Sequence, residues 1–591
     1  MARNWRARRI RWGHRWAAWR AGHAPAPARF AAPPEPFFIG HYGLGQRLAR
    51  GEFALGDARL TAADPWAVHP PSARFTRALH GFGWLDHLAA VGDATARRAA
   101  QDWTDGWIAR FGQGTGPGWE PQIAGRRVTR WIMHAGLLAA GRRATAEPAL
   151  RAALGRQAGF LARRWHLAAP GLPRIEALTG LVTAALWLDG LEALLPDAAA
   201  GLAQTVATAV DAEGAIASRN PEELLEVFTL LAWAASTMLA AERNPPDAVI
   251  DALDRMAPVL RYLRHADGSL ARFHGGEAGM PGQVERALTL YGQPPLAHAG
   301  PEAHGQAMGF ARVQAGRTSL IVDAAPPPRG DDGLQAHAST LALELTSNRR
   351  PLIVSCGAAA VFGPAWERAG RLTEAHSTLA LDGVPSARFD LDDNDETDRL
   401  ITGPHTVTLH RARDRDGATL LLSHDGWLAS HGLTHSRGLA LSADGRMLLG
   451  EDRLAALAPA DRRRFNAALG AGRGRGIGYA LRFHLHPEAE ASADRPGHEV
   501  TIRLRSGEVW VFRFDGPGRM VLEPSDYLEA TAPEPRPAQQ IAIHAAIDGF
   551  ASQINWTLAK ARDTPRAIRD IGRHDDLALP PDAIAPTGPA D

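Results

Sequence analysis

The stretch "AHASTLALEL" (336–345) decides how the chain is read, because "AHSTLALDG" (375–383) repeats it a short way on. Each copy sets a histidine, His337 or His376, beside hydroxyl residues and then alternates apolar positions with a period of two. That period marks a β-strand with one face turned inward. The same alternation runs through most of the chain after residue 300, in "TSLIVDA", "HTVTLHRAR", "LALSADGRMLLGED", "YALRFHLHP" and "EVTIRLRSGEVWVFRFDG". Turn signals such as "ADGR" and "RSGE" join the runs, so the pattern predicts a large antiparallel sandwich.

Ahead of residue 300 the period is helical. Segments 80–111, 126–141, 150–167, 174–195, 221–242 and 247–265 place apolar residues at i, i+3, i+4 and i+7, and several are apolar almost all round. Helices of that kind pack on helices in layers. The fold class is therefore multidomain, α then β, with a cleft expected between the halves. Expected boundaries are 1–59 for a basic N-terminal segment and linker, 60–295 for the helical domain, 300–565 for the sandwich and 566–591 for a tail.

The composition fits this reading. The chain has 591 residues, 45% of them hydrophobic, with 60 glycines and 42 prolines, enough for two large globular cores. The net charge is +1 and the one cysteine, Cys356, sits in an apolar run, so there is no disulfide framework to read. No nucleic-acid partner is expected, and no apolar run reaches the roughly 18 residues of a membrane span.

The first twenty residues, "MARNWRARRIRWGHRWAAWR", carry seven arginines and no acid. Trp5, Trp12, Trp16 and Trp19 fall on one helical stripe. Such a helix suits an interfacial membrane anchor; the other reading is a helix packed on the protein body or a mobile arm. There is no apolar core of a secretory signal peptide here. "HAPAPARFAAPPEPFF" then reads as a proline-rich linker.

Taken together, "LHGFGWLDHLAA" (79–90), "GAIASRNPEELLEV" (214–227), "AHASTLALEL", "IVSCG" (353–357), "AHSTLALDG", "HGLTHSRGLALSADGRMLLGEDRL" (431–454) and "RFHLHP" (482–487) resemble the heparinase II/III-like polysaccharide lyases over roughly 60–565. The resemblance implies an incomplete (α/α) toroid followed by an antiparallel β-sandwich, and cleavage of uronate-containing acidic polysaccharides by β-elimination. It implies a cell-envelope or periplasmic location, against which stands the missing Sec signal. The other function classes are a glycan-binding protein without catalysis, or an envelope-assembly protein, on a degenerate lyase fold.

β-Elimination needs a group that neutralises the uronate carboxylate, a base for the C5 proton and an acid for the leaving oxygen. Against the family pattern, Leu172 and Pro173 stand where an Asn-His pair is expected, Glu223 stands near the place of a catalytic tyrosine, and Gln335 replaces the first of two histidines while His337 is kept. The candidate catalytic set is then His337, His376, Arg219, Asn220 and Glu223, with Arg219 and Asn220 on the carboxylate and a histidine as base. Asn220 before Pro221 also suits a helix N-cap. Substrate-binding candidates are Arg174, His435, Arg437 and Trp427, the last a sugar platform or a core residue. The resemblance further implies a zinc ion on His337, an acid at the end of the next strand, and His376. Ser355 takes the acid's place, leaving a poor donor set. The alternative is a histidine pair hydrogen-bonded across neighbouring strands.

Overall fold

The computed structural model describes residues 2–31, 37–141, 146–292, 305–357, 360–390, 399–471, 476–494 and 497–561. The expected tail, the 295–300 boundary and part of the proline-rich linker lie outside them. Helices fill the first half, from Ala73–Gly81 to Gln283–Tyr291, and antiparallel strands fill the second, from Gln306–Ala307 to Ala551–Lys560. This is the expected order of an (α/α) toroid and a sandwich. The helices begin where the sequence offers caps: Ser72 and Asp93 accept from the backbone N–H three residues on, and Pro121, Pro173 and Pro221 occupy first turns. The inner helices Pro121–Met133 and Leu172–Trp187 cross at Gly125 and Gly180, so closely that a Cβ on Gly180 would lie 2.5 Å from the Gly125 Cα. Pro221–Ala240 is long and apolar enough to cross a membrane, but 72% of its 18-residue apolar window is buried inside the protein.

The helical half also departs from the periodicity reading in several elements. Leu195–Ala209 is a separate helix that follows the 174–195 segment. Gln283–Tyr291 is a further short helix, and Glu52–Leu55 pairs with Ala58–Thr61 as a hairpin ahead of the toroid.

The sandwich has two sheets. One runs in the order Val407–Arg413, Gly417–Trp427, Leu433–Ser442, Met447–Ala455, Ala551–Lys560, Val509–Asp515, Glu499–Arg503, Glu490–Ala493. The other, centred on Ile477–Leu485, Arg350–Val354, Leu343–Ser347 and Thr318–Asp323, turns its outer face to the toroid. Between the sheets lie Leu345, Leu420, Phe483, Trp510, Phe512 and Trp556, which close a continuous core.

Arginines pin the two halves together. Arg312 of the sandwich donates to the carbonyls of Tyr262 (2.8 Å) and Arg264 (2.6 Å), which close the Asp247–Leu263 helix. From the toroid side, Arg272 donates to the carbonyls of Ser355 and Leu528. The first helix, Ala2–Ala21, packs on the protein body by one face. His14, Ala17, Ala18 and Ala21 are buried against the Ala146–Arg164 helix, while Trp5, Trp12, Trp16 and Trp19 stay between 46% and 68% exposed.

Candidate functional site

Where toroid meets sandwich, the chain gathers His274, His337, His376, Asp323, Arg219 and Asn220. Asn220 caps the Pro221–Ala240 helix: its Oδ1 accepts from the N–H of Glu222 (2.9 Å) and Glu223 (3.1 Å). Its neighbour Arg219 adopts a left-handed backbone, φ 53°, which aims the guanidinium away from the helix and into the sandwich. There it donates to the carbonyls of Met308, Gly309, Ala325 and Pro326 and to Asp323 Oδ1 (2.5 Å), with Phe310 stacked beneath. No donor is left over for a substrate carboxylate. Burial alone would raise the Asp323 carboxyl, but Arg219 and then His274 hold it well below the usual range.

His337 and His376 meet as the repeat suggests, their ring centroids 5.1 Å apart. They precede the strands Leu343–Ser347 and Leu379–Leu381, which do not pair with each other. Both rings are fully buried. Burial pushes the His337 imidazole far below its ordinary value, with His376 and His274 adding to it, and brings His376 down to about 3. A base that weak takes a carbon-bound proton poorly. The two rings do not face Asn220 across open space, because the turn "FHGG" (273–276) lies between. Gly275 N–H donates to His337 Nε2 (2.8 Å), the His337 N–H donates to His274 Nδ1 (3.1 Å), and a Cβ on Gly276 would strike Asn220 Oδ1 at 2.6 Å. Gly275 itself has φ 86° and would meet Gln335 if it carried a side chain. The expected cleft is filled by the chain's own backbone at this point.

Carboxylates crowd the nearby rim. Glu223 is raised by burial, opposed by a hydrogen bond from Ser218, and raised further by Glu226 and Asp332. Burial lifts Glu222 to about 7; its Oε2 accepts from Glu277 N–H (2.9 Å). The arginines at hand are taken: Arg126 by Glu176 and Glu226, and Arg272 by Glu277 (3.0 Å). Beside them lies a cavity of about 30 Å³, room for a water or two, lined by His265, Arg272, Glu344, His486 and Tyr527 among others.

The remaining candidates are structural. Trp427 is fully buried and donates to the Val384 carbonyl (2.9 Å), so it is a core residue and not a sugar platform. His435 and Arg437 do not line a groove; both are buried on Asp452, which accepts from His435 Nε2 (2.8 Å), Arg437 Nε (2.8 Å) and Trp556 Nε1 (2.9 Å). Arg174 folds back onto the Ala168 carbonyl (2.9 Å) in the turn ahead of its own helix. In "RFHLHP", His484 reaches Ser525 (2.8 Å) and the Glu374 carbonyl (2.9 Å), and His486 packs edge-on against Tyr527. The zinc that the resemblance implies does not fit these residues: Ser355 Oγ pairs with His376 Nδ1 (3.1 Å), and no three His, Cys, Asp or Glu among the described residues are placed to hold a metal. Sequence reasoning missed His274 and Asp323; the double glycine of "FHGG", a turn needing close approach, was the available signal.

Residues 297–557 match the family described as heparinase II/III-like, C-terminal. Over 542 residues, 89% of each chain, the sequence is 31% identical to FtsZ-localized protein C of Caulobacter vibrioides. The chain belongs to the heparinase II/III-like family. Among solved structures, heparinase III is similar with a TM-score of 0.61 at 13% identity, covering 89% of this chain and 86% of that one. A mutant of the heparan sulfate lyase HepC from Pedobacter heparinus is similar with a TM-score of 0.53 at 14% identity, covering 95% and 89%. At such identities these likenesses establish the toroid-and-sandwich fold and leave the chemistry to the site.

Proposed function

We propose that this heparinase-like protein acts as a binding and assembly protein on a lyase scaffold, held at a membrane surface by its first helix, and not as a uronate lyase. The observation that carries the reading is the "FHGG" turn packed between Asn220 and His337. A polymer carboxylate would have to sit in that space, beside rim carboxylates that repel it. The relative called FtsZ-localized protein C supports a place in FtsZ-associated assembly. Four exposed tryptophans flanked by exposed Arg8, Arg9, Arg11, Arg15 and Arg20 support contact with an anionic lipid surface.

The full chain should bind vesicles containing anionic lipid, and Trp12→Ser, Trp16→Ser and Trp19→Ser combined should weaken that binding by tenfold or more, about 1.4 kcal/mol. Equal binding by the variant would remove the surface role. FtsZ polymers assembled with GTP should carry the chain into the pellet; a chain left in the supernatant would remove the assembly role. The lyase reading has one observation in its favour, the 5.1 Å approach of His337 and His376. Their burial weighs against it.

A further inference from the structure

We infer that the place where the family resemblance implies a metal has become, in this chain, a neutral imidazole knot bridged by one water, and that its loss of metal is fixed by hydrogen-bond direction rather than by the missing acid alone. The argument starts from lone pairs. A ligating histidine must offer an unprotonated nitrogen. His337 Nε2 already accepts the Gly275 N–H, so its proton sits on Nδ1 and neither nitrogen is free to ligate. His274 is committed in the same way: Nδ1 accepts the His337 N–H, which leaves Nε2–H directed toward Asp323 Oδ2 at 3.4 Å. Only His376 keeps an uncommitted nitrogen, Nε2, because its Nδ1 is paired with Ser355.

Two fully buried atoms in adjacent rings, His337 Nδ1 and His376 Nε2, then have no hydrogen-bond partner among the described residues. The first must donate. The second accepts when His376 Nδ1–H donates its hydrogen bond to Ser355 Oγ. One water satisfies both, accepting from His337 and donating to His376, whereas a cation would face an N–H. The resulting chain runs from the Gly275 backbone through His337, the water and His376 to Ser355. It ties the toroid's turn to the two histidine segments of the sandwich with no charged member.

Metal analysis of the full-length protein tests this. After dialysis against zinc and then buffer, mass spectrometry should find well under about 0.1 zinc per chain, and a chelator should leave the melting temperature unchanged. One retained zinc per chain, with a lower melting temperature in chelator, would overturn the inference. Ser355→Asp separates the two causes by restoring the acid. It should still take up no zinc, and stoichiometric uptake by this variant alone would overturn the hydrogen-bond explanation. The wild-type measurement stands on its own should that variant not fold.

Discussion

Two buried histidine networks lie in one molecule and differ in one respect. In the sandwich, Asp452 gathers His435, Nε and Nη2 of Arg437, and Trp556; His424 pairs with His435, and the Gly426 N–H donates to His424 Nδ1. Every imidazole nitrogen there has a partner. At the toroid junction His274 Nε2 faces Asp323 Oδ2 at 3.4 Å, but His337 Nδ1 and His376 Nε2 have no hydrogen-bond partner among the described residues. A complete buried network specifies a core, and an incomplete one calls for a further partner such as a water. The Arg437 guanidinium joins the two, since it donates to the carbonyls of Leu341 and Ser377 in the histidine repeats themselves. The sandwich network thus supports the strands that the junction network decorates.

The contrast is sharpest when a charge is removed. Asp452→Ala would strand buried Arg437, and chemical denaturation should record a loss of about 3–5 kcal/mol. A loss under about 1 kcal/mol would mean that the network does not hold the sandwich. Arg219→Ala should cost less, on the order of 2–3 kcal/mol, because Asp323 keeps Ser339 and His274 as partners. Calorimetry of this variant should split one transition into two, toroid and sandwich; a single unsplit transition would show that Arg219 is not the fastening.

How much of this was legible depends on range. Helical and strand periods are local, so the α-then-β order and the nearness of His337 and His376 could be read from repeats. Asn220 as an N-cap was legible for the same reason, from one proline and its neighbours. What Arg219 touches was not, because its partners lie in Met308–Pro326 and nothing in "SRNP" names them. The filling of the cleft by Gly275 and Gly276, and the burial of Trp427, His435 and Arg437, are likewise long-range outcomes. A polar residue on a strand looks the same in sequence whether it faces a substrate or a buried aspartate.

Smaller effects refine the comparison. Glu222 is raised by burial from its ordinary 4.5 to about 7, so its contribution is fully present below pH 4.5 and is lost as the pH rises through 7. Glu222→Gln keeps the acceptor for Glu277 N–H and should flatten that dependence, gaining on the order of 1–2 kcal/mol over wild type at pH 8 and nothing at pH 4. Parallel stability curves from pH 4 to 8 would contradict the assignment. His376→Ala, which deletes a ring already short of one partner, should cost only about 1–2 kcal/mol, below either charge removal. A cost as large as that of Asp452→Ala would put the two networks on the same footing.

The central claim is that the junction binds its own turn and not a uronate. Full-length protein incubated with heparin, heparan sulfate, alginate and chondroitin, and followed by the absorbance of the unsaturated uronate product, tests it most directly. The account predicts no product above a protein-free control with any of the four. Product that forms with wild type and falls at least tenfold, about 1.4 kcal/mol of barrier, in both His337→Ala and Asn220→Ala would contradict it.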